Sequence, residues 1–266
     1  MRRIQFFELE DQHWLPNSIR NGITDFLQFA VVHGDMYKVL SQRLGAAVRQ
    51  NGDAQIVDLC AGGGGGWPSL RKHIPELNAG GMKVHLTDYY PNLPAFAALA
   101  SAAPNVFTYS KQSISALDVP PDLQGFRTLF SSFHHFNEVD ATRILQDAVT
   151  KKQGIAIAES TQRHPLLLAY MLLTPLLVML TSPFQKPFRW SRLFWTYVVP
   201  VVPLAVAFDG FISCLRTYTP AELMAMVSKV NGHEGYEWQA GVERLGKLPV
   251  GVTYLIGTPR HLPDKH

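Results

Sequence analysis

Over the first fifty residues, apolar positions recur every three or four places. Ile19, Ile23, Phe26, Leu27, Ala30 and Val31 form one stripe over residues 18–33, and Val39, Leu40, Leu44 and Val48 form a second over residues 37–48. Two amphipathic helices are expected there. From residue 55 the pattern changes to short apolar runs at 56–58, 82–88, 126–130 and 154–159, separated by helical stretches. That alternation predicts parallel strands joined by crossover helices. Near the end, Thr219-Pro220-Ala221-Glu222 has a cap, a proline in the first turn and a glutamate able to reach back, which together start a helix. Strands at 236–244 and 250–256 follow, around a turn at Lys247-Leu248-Pro249.

The punctuation between these elements is uneven. Ile56-Val57-Asp58 leads through Leu59-Cys60-Ala61 into five consecutive glycines, Gly62 to Gly66. Glycine permits left-handed backbone and close approach to a ligand, and five in a row exceed what a turn requires. A strand running through glycines into a helix is the arrangement that nucleotide-type cofactors use. Its register differs from the dinucleotide fingerprint G-x-G-x-x-G, and no hydride-transfer constellation accompanies it. A second acid, Asp88, closes the next strand, where a βαβ unit puts the acceptor for ribose hydroxyls. Tyr89 and Tyr90 follow, either against an adenine ring or as packing.

The turn Asp58-Leu59-Cys60-Ala61-Gly62-Gly63-Gly64 resembles the acidic-x-Gly-x-Gly-x-Gly loop of class I S-adenosylmethionine-dependent methyltransferases, with Cys60 at the position of the first glycine. The order of elements over residues 55–259 is similar to that superfamily too. The resemblance implies an α/β fold with a Rossmann-like doubly wound sheet, mostly parallel with a C-terminal antiparallel hairpin, plus N-terminal helices and an apolar insertion after strand 5. It implies S-adenosyl-L-methionine as cofactor, held by Asp58, Cys60, Gly62, Gly63 and Gly64, with Asp88 and Tyr89 at the ribose and adenine. In that family the loop after the third strand often carries an acid near the adenine amino group. Here Ser115 stands at that position and Asp118 follows three residues later, so Ser115 with the Ala116 backbone is the expected contact.

Ligands of a parallel sheet bind beyond the carboxyl ends of its strands. Ser131, Ser132, His134, His135 and Glu159 all fall at that edge, the serines beside the expected cofactor. Methyl transfer from a sulfonium needs an aligned acceptor more than covalent work by side chains. For a hydroxyl or activated carbon a base helps, and an imidazole with an ordinary pKa of ~6.5 suits the task. One of His134 and His135 is expected to face the pocket and the other the sheet edge, with Glu159 orienting the imidazole or binding substrate. Trp14, Arg20 and Tyr37, in the N-terminal extension, are candidates for the substrate wall or for packing against the sheet.

Between the fifth strand and the closing helix the composition shifts. No Asp, Glu, Lys or Arg occurs from His164 to Gln185, and a second uncharged run spans Leu193 to Phe208. Lys186, Arg189, Trp190, Arg192 and Trp195 lie between them, a basic and aromatic hinge. Three readings compete over 165–208: a lid or homodimer surface, an interfacial hairpin on a membrane surface, and a pair of spanning helices. Pro175, Pro200 and Pro203 and the short second run weigh against spanning. In either of the first two, Lys186, Arg189 and Arg192 are expected to stay wet at the tip.

The bulk properties fit one domain of 266 residues, divided as an N-terminal helical extension (1–52), a cofactor-binding core (53–162), the apolar insertion (163–210) and a closing helix with hairpin (211–266). A net charge of +3, from 24 basic and 21 acidic residues without a dense basic run, gives no reason to expect nucleic acid. The two cysteines, Cys60 and Cys214, lack metal-ligand spacing, so neither a metal site nor a disulfide scaffold is expected. They suit a cytoplasmic protein, peripheral to the membrane if the hairpin reading holds, and the N-terminus lacks the apolar core of a secretion signal. The expected activity is methyl transfer to an apolar or aromatic small molecule, such as a lipid or secondary metabolite. The alternative of another class is a protein that binds the cofactor without methylating, as a sensor or a membrane-associated partner.

Overall fold

The computed structural model describes residues 1–260; residues 261–266 of the closing segment lie outside the described residues. Seven strands form one sheet: β1 (Gln55–Asp58), β2 (Lys83–Leu86), β3 (Phe107–Tyr109), β4 (Phe126–Phe130), β5 (Ile155–Glu159), β6 (Tyr236–Arg244) and β7 (Gly251–Pro259). Their order is β3-β2-β1-β4-β5-β7-β6. The pairs among the first five strands are parallel, while β7 runs antiparallel to both β5 and β6. The chain winds outward from β1 to β3 and then returns to the centre with β4. This reversal beside β1 is the switch point at which open α/β sheets bind ligands.

The strands form because their residues are covered on both faces. Every position of β4 and β5 is buried, as expected of inner parallel strands. Ile56, Val84 and Phe126 point to one face, under Trp67, Phe96 and Leu44. Val57, Leu129 and Ile157 point to the other, against the helices Glu138–Thr150 and Pro220–Val227. Arg127 is buried within β4, and its Nη1 donates to Asp147 Oδ2 at 2.6 Å, so the charge is enclosed as a pair.

The expected N-terminal helices are present as Asn17–His33 and Ser41–Asn51, the second preceded by a 3-10 turn, Met36–Leu40. The closing helix Pro220–Val227 opens on a reciprocal capping box between Thr219 and Glu222. One expectation fails after the glycines, where a full crossover helix does not form. Short pieces stand there instead, Trp67–Leu70 running into a 3-10 turn Arg71–His73 and then Pro75–Asn78, broken where Ile74 before Pro75 is forced extended at φ −115°, ψ 105°.

The insertion folds as two bent helix pairs, one bent by 45° and the other, Trp190–Val198 with Val201–Arg216, by 83°. Among the described residues no single helix is long and apolar enough to cross a membrane. The insertion lies back on the first N-terminal helix, where Leu15, Ile19, Ile23 and Phe26 meet Val178, Val202, Ala205 and Val206. Gly22 makes this close approach possible, since a Cβ there would stand 2.9 Å from Val202 Cγ2.

The same docking corrects the expectation of a wet basic tip. Arg192 is 0% exposed, donating from Nη1 to Asp25 Oδ2 at 2.5 Å and to the Pro187 carbonyl, from Nε to the Ser182 carbonyl and from Nη2 to the Gln185 carbonyl. Arg189 binds the same carboxylate at 3.1 Å. Lys186 alone of the three is exposed. On the outer side Leu172, Leu173, Leu176, Leu180, Phe184 and Trp190 face outward, each more than half exposed.

Candidate functional site

The glycine loop is built by backbone conformation. Cys60, Gly62 and Gly64, the three alternate positions after Asp58-Leu59, have φ of 56°, 54° and 100°, and Gly65 follows at 51°. An L side chain in this left-handed region costs roughly 1–2 kcal/mol, so Cys60 keeps the turn that glycine would make, under strain. Its thiol is pushed well up by burial and by the neighbouring Asp88 and Asp58 charges. Space explains the other glycines. A Cβ on Gly64 would meet Leu99 Cδ1 at 2.1 Å, one on Gly66 would meet Tyr37 Cδ2 at 2.3 Å, and one on Gly62 would meet nothing within 4 Å. Gly62 therefore borders open space. Gly63 lies under the first N-terminal helix, where a Cβ would stand 3.4 Å from both Thr24 and Gln28.

Two acids flank this loop in different surroundings. Asp58 is 1% exposed beneath it, accepting from Thr128 Oγ1 at 2.6 Å, and burial pushes its carboxyl up to about 7. Asp88 is half-buried at the end of β2. Its Oδ2 accepts from the Gly62 N–H at 2.8 Å and its Oδ1 from the Tyr90 N–H at 2.7 Å, so one carboxylate ties the glycine loop to its own turn. The loop after β3 joins them, with the Ile114 N–H donating to the Asp88 carbonyl at 2.9 Å. Ala116 is buried next to it, and Ser115 Oγ accepts from the Leu117 N–H at 3.2 Å. Tyr89 and Tyr90 are exposed, in edge contact with each other rather than packed in the core.

The sheet edge beyond β4 and β5 is enclosed. Ser131, at φ 44°, shares its hydroxyl with Tyr37 at 2.7 Å and with Ser160 at 2.8 Å, and Ser132 is buried near Cys60. Phe133–His135 forms a 3-10 turn that brings the two imidazoles to 4.4 Å between centroids, tilted by 32°. Glu159 fixes the first: its Oε1 accepts from the Phe133 and His134 N–H groups, and its Oε2 lies 2.6 Å from His134 Nδ1. Residues 3–11 then run over both rings. Glu8 approaches His134 Nε2 at 3.7 Å and His135 Nε2 at 3.6 Å, while Asp11 Oδ1 lies 2.8 Å from His135 Nδ1. Burial opposes charge on His135, yet Glu8 and Asp11 outweigh it and hold the imidazole up at about 9. Arg216 closes the cluster, donating to the His134 and His135 carbonyls and pairing with Asp11.

Several expected roles change in this arrangement. His134 and His135 do not divide between a pocket and the sheet edge, because the tight turn sends both rings under the N-terminal segment. Glu159 does orient an imidazole. Tyr37 is not on a wall: it is buried beneath the loop, against Gly66 and Phe130. Arg20 is engaged by its own segment, donating to Asn17 Oδ1 and to the carbonyls of Glu10 and Gln12. Trp14 is an exposed surface residue. Thr24 and Gln28 over the loop, and Glu8, Asp11 and Arg216 over the histidines, had no signal in the sequence beyond their residue type. A separate groove of about 570 Å³, lined by Gln42, Arg43, Gln239 and Glu243 among others, contains none of the loop residues.

No protein-family model matches the chain, and no curated protein does. Solved structures do resemble it. The plantazolicin methyltransferase BpumL, solved in complex with SAH, aligns at a TM-score of 0.51 with 10% identity, over 92% of this chain and 88% of that one. A Nostoc punctiforme PCC 73102 protein described as an O-methyltransferase gives 0.47 and 17%, over 87% of this chain. The mitomycin 7-O-methyltransferase MmcR gives 0.46 and 14%, over 84% of this chain. The chain spans only 59% and 54% of the length of the latter two. Taken with the strand order and the antiparallel β7, the first likeness identifies the architecture: a seven-stranded Rossmann-like α/β fold, shared with that methyltransferase.

Proposed function

We infer that the chain binds S-adenosylmethionine over the Gly62–Gly66 loop and transfers its methyl group to an apolar or aromatic small molecule. The junction of Asp88 with Gly62 carries the reading. A half-buried carboxylate whose two oxygens each accept a backbone N–H keeps lone pairs for ribose hydroxyls. Beside it the Cβ direction of Gly62 opens into empty space, the gap that the amino-acid end of the cofactor needs. The Ser115-Ala116 turn, tied to the Asp88 carbonyl through Ile114, is then the adenine side. The cofactor supplies an electrophilic methyl on a sulfonium. The chain's part is to hold an acceptor in line and keep water out.

General base catalysis by the histidine pair is not included in this reading, since each imidazole turns its Nε2 to Glu8 under the N-terminal segment. The exposed leucines and aromatics of the insertion support an acceptor of like polarity, with lipids and secondary metabolites inside that class. Incubating the protein with S-adenosylmethionine and a panel of apolar phenols, amines and quinols, and measuring S-adenosylhomocysteine release, tests it. Release that depends on an acceptor supports methyl transfer. Tight cofactor binding without release for any acceptor overturns it in favour of a non-catalytic, cofactor-binding partner protein.

A further inference from the structure

Both imidazoles beyond β4 are oriented alike. Each carries a carboxylate on Nδ1, Glu159 at 2.6 Å for His134 and Asp11 at 2.8 Å for His135, and each turns Nε2 toward the carboxylate of Glu8. Glu8 and His134 are each 2% exposed, and neither Glu8 Oε1 nor His134 Nε2 has a hydrogen-bond partner. A buried polar atom left unpaired costs about 1–3 kcal/mol; His134 Nε2 is such an atom, and it faces across 3.7 Å a Glu8 Oε1 whose charge is met by Arg216 Nη1 at 3.2 Å. One ligand-type atom from each of Glu8, His134 and His135 falls within 4.8 Å of the others. Carboxylates on the remote imidazole nitrogens are what fix the tautomer and ring direction of metal-binding histidines.

We propose that Glu8, His134 and His135 form a binding site for a divalent first-row transition-metal ion of the Zn²⁺ or Co²⁺ kind. Two imidazoles and one carboxylate favour such ions over Mg²⁺ and Ca²⁺, which take oxygen ligands. Metal–ligand bonds of about 2.0–2.1 Å set tetrahedral ligand atoms about 3.4 Å apart, so the Glu8 oxygens at 3.7 and 3.6 Å close by a few tenths of an ångström, while the full set, now within 4.8 Å, contracts by up to about 1.4 Å as the metal enters. Arg216 Nη1, 3.2 Å from Glu8 Oε1 and 3.0 Å from Asp11 Oδ2, offsets part of the acidic charge and leaves Glu8 Oε2, 3.6 Å from His135 Nε2, as the oxygen it does not touch. An ion here ties the N-terminal segment to the carboxyl edge of the sheet. The site stands independently of methyl transfer.

The test uses the full chain after chelator treatment, titrated with Co²⁺ while its visible absorption is followed, then with Zn²⁺ in competition, and melted with and without Zn²⁺. Expected are stoichiometric Co²⁺ binding with the intense bands of a low-coordinate site, displacement by Zn²⁺, and a higher unfolding temperature with metal. Glu8→Gln and His135→Gln each weaken binding more than tenfold, and Glu159→Gln weakens it by about 10- to 100-fold. His73→Gln, which removes the separate His73–Asp35 pair, leaves it unchanged. If Glu8→Gln fails to fold by circular dichroism, His135→Gln, at the more exposed position, decides alone. No Co²⁺ bands, or bands undiminished in His135→Gln, overturns the proposal and leaves the cluster an imidazolium–carboxylate network.

Discussion

Asp58 gives a test of the loop's electrostatics that needs no ligand. Its carboxyl is 1% exposed under the glycines and rises to about 7 through burial, against ~3.9 in an unfolded chain. The folded protein thus binds this proton more tightly than the unfolded one. The resulting stability is fully present below about pH 4 and is lost as pH rises through about 7. Three pH units at roughly 1.4 kcal/mol each put the loss on the order of 4 kcal/mol, an upper figure because local relaxation relieves part of it. Asp58→Asn keeps an oxygen for the Thr128 hydroxyl and never ionises. Urea unfolding followed by tryptophan fluorescence should find the two proteins similar near pH 4, with the variant ahead by about 2–4 kcal/mol near pH 8. Subtracting wild type from variant cancels the other buried acids. A difference that does not change with pH refutes the reasoning.

Other expectations follow from neighbouring contacts. Asp88→Ala removes the acceptor of the Gly62 N–H and of any ribose hydroxyl, so calorimetry with S-adenosylhomocysteine should find affinity lower by about 1.5–3 kcal/mol, roughly 10- to 150-fold; unchanged affinity contradicts the assignment. Gly66→Ala forces a Cβ to within 2.3 Å of the Tyr37 ring and should cost about 1–3 kcal/mol of stability by denaturant titration. Gly62→Ala meets no atom, so beyond a left-handed strain of about 1–2 kcal/mol its loss should fall on cofactor affinity; equal affinity in the two glycine variants would argue against a cradle at Gly62. Arg192→Met leaves Asp25 with Arg189 alone in a buried setting and should destabilise by about 3 kcal/mol or more. A change below 1 kcal/mol in the same urea assay (roughly the worth of an exposed pair) would mean that the ion pair is not holding the insertion to the N-terminal helix.

The strands and the glycine loop were legible because each is written locally. Ile56-Val57 and residues 155–159 are apolar enough to be inner strands on any reading, and Asp88 follows its strand Lys83–Leu86 by two residues. The capping box at Thr219 and Glu222 likewise needs only neighbours. What escaped was decided across distance. Tyr37 has the same place in its apolar stripe whether it lines a wall or fills the core, and the missing side chain of Gly66 settles the matter. Arg192 reads as a wet cation until Asp25, on another helix, is found beside it. Glu8 and Asp11 look like a solvated acidic terminus, yet they close over two histidines far along the chain. The break in the helical stretch after the glycines was knowable from Pro75, whose effect on the preceding residue is local.

Equilibrium binding of S-adenosylmethionine to the purified protein, with NAD as comparison and Asp88→Ala alongside, tests the central claim most directly. Stoichiometric binding of the sulfonium cofactor, absent for NAD and weakened at least tenfold by Asp88→Ala, is the predicted result. Failure to bind S-adenosylmethionine, or binding that Asp88→Ala leaves untouched, would contradict a cofactor site between the glycine loop and the end of β2.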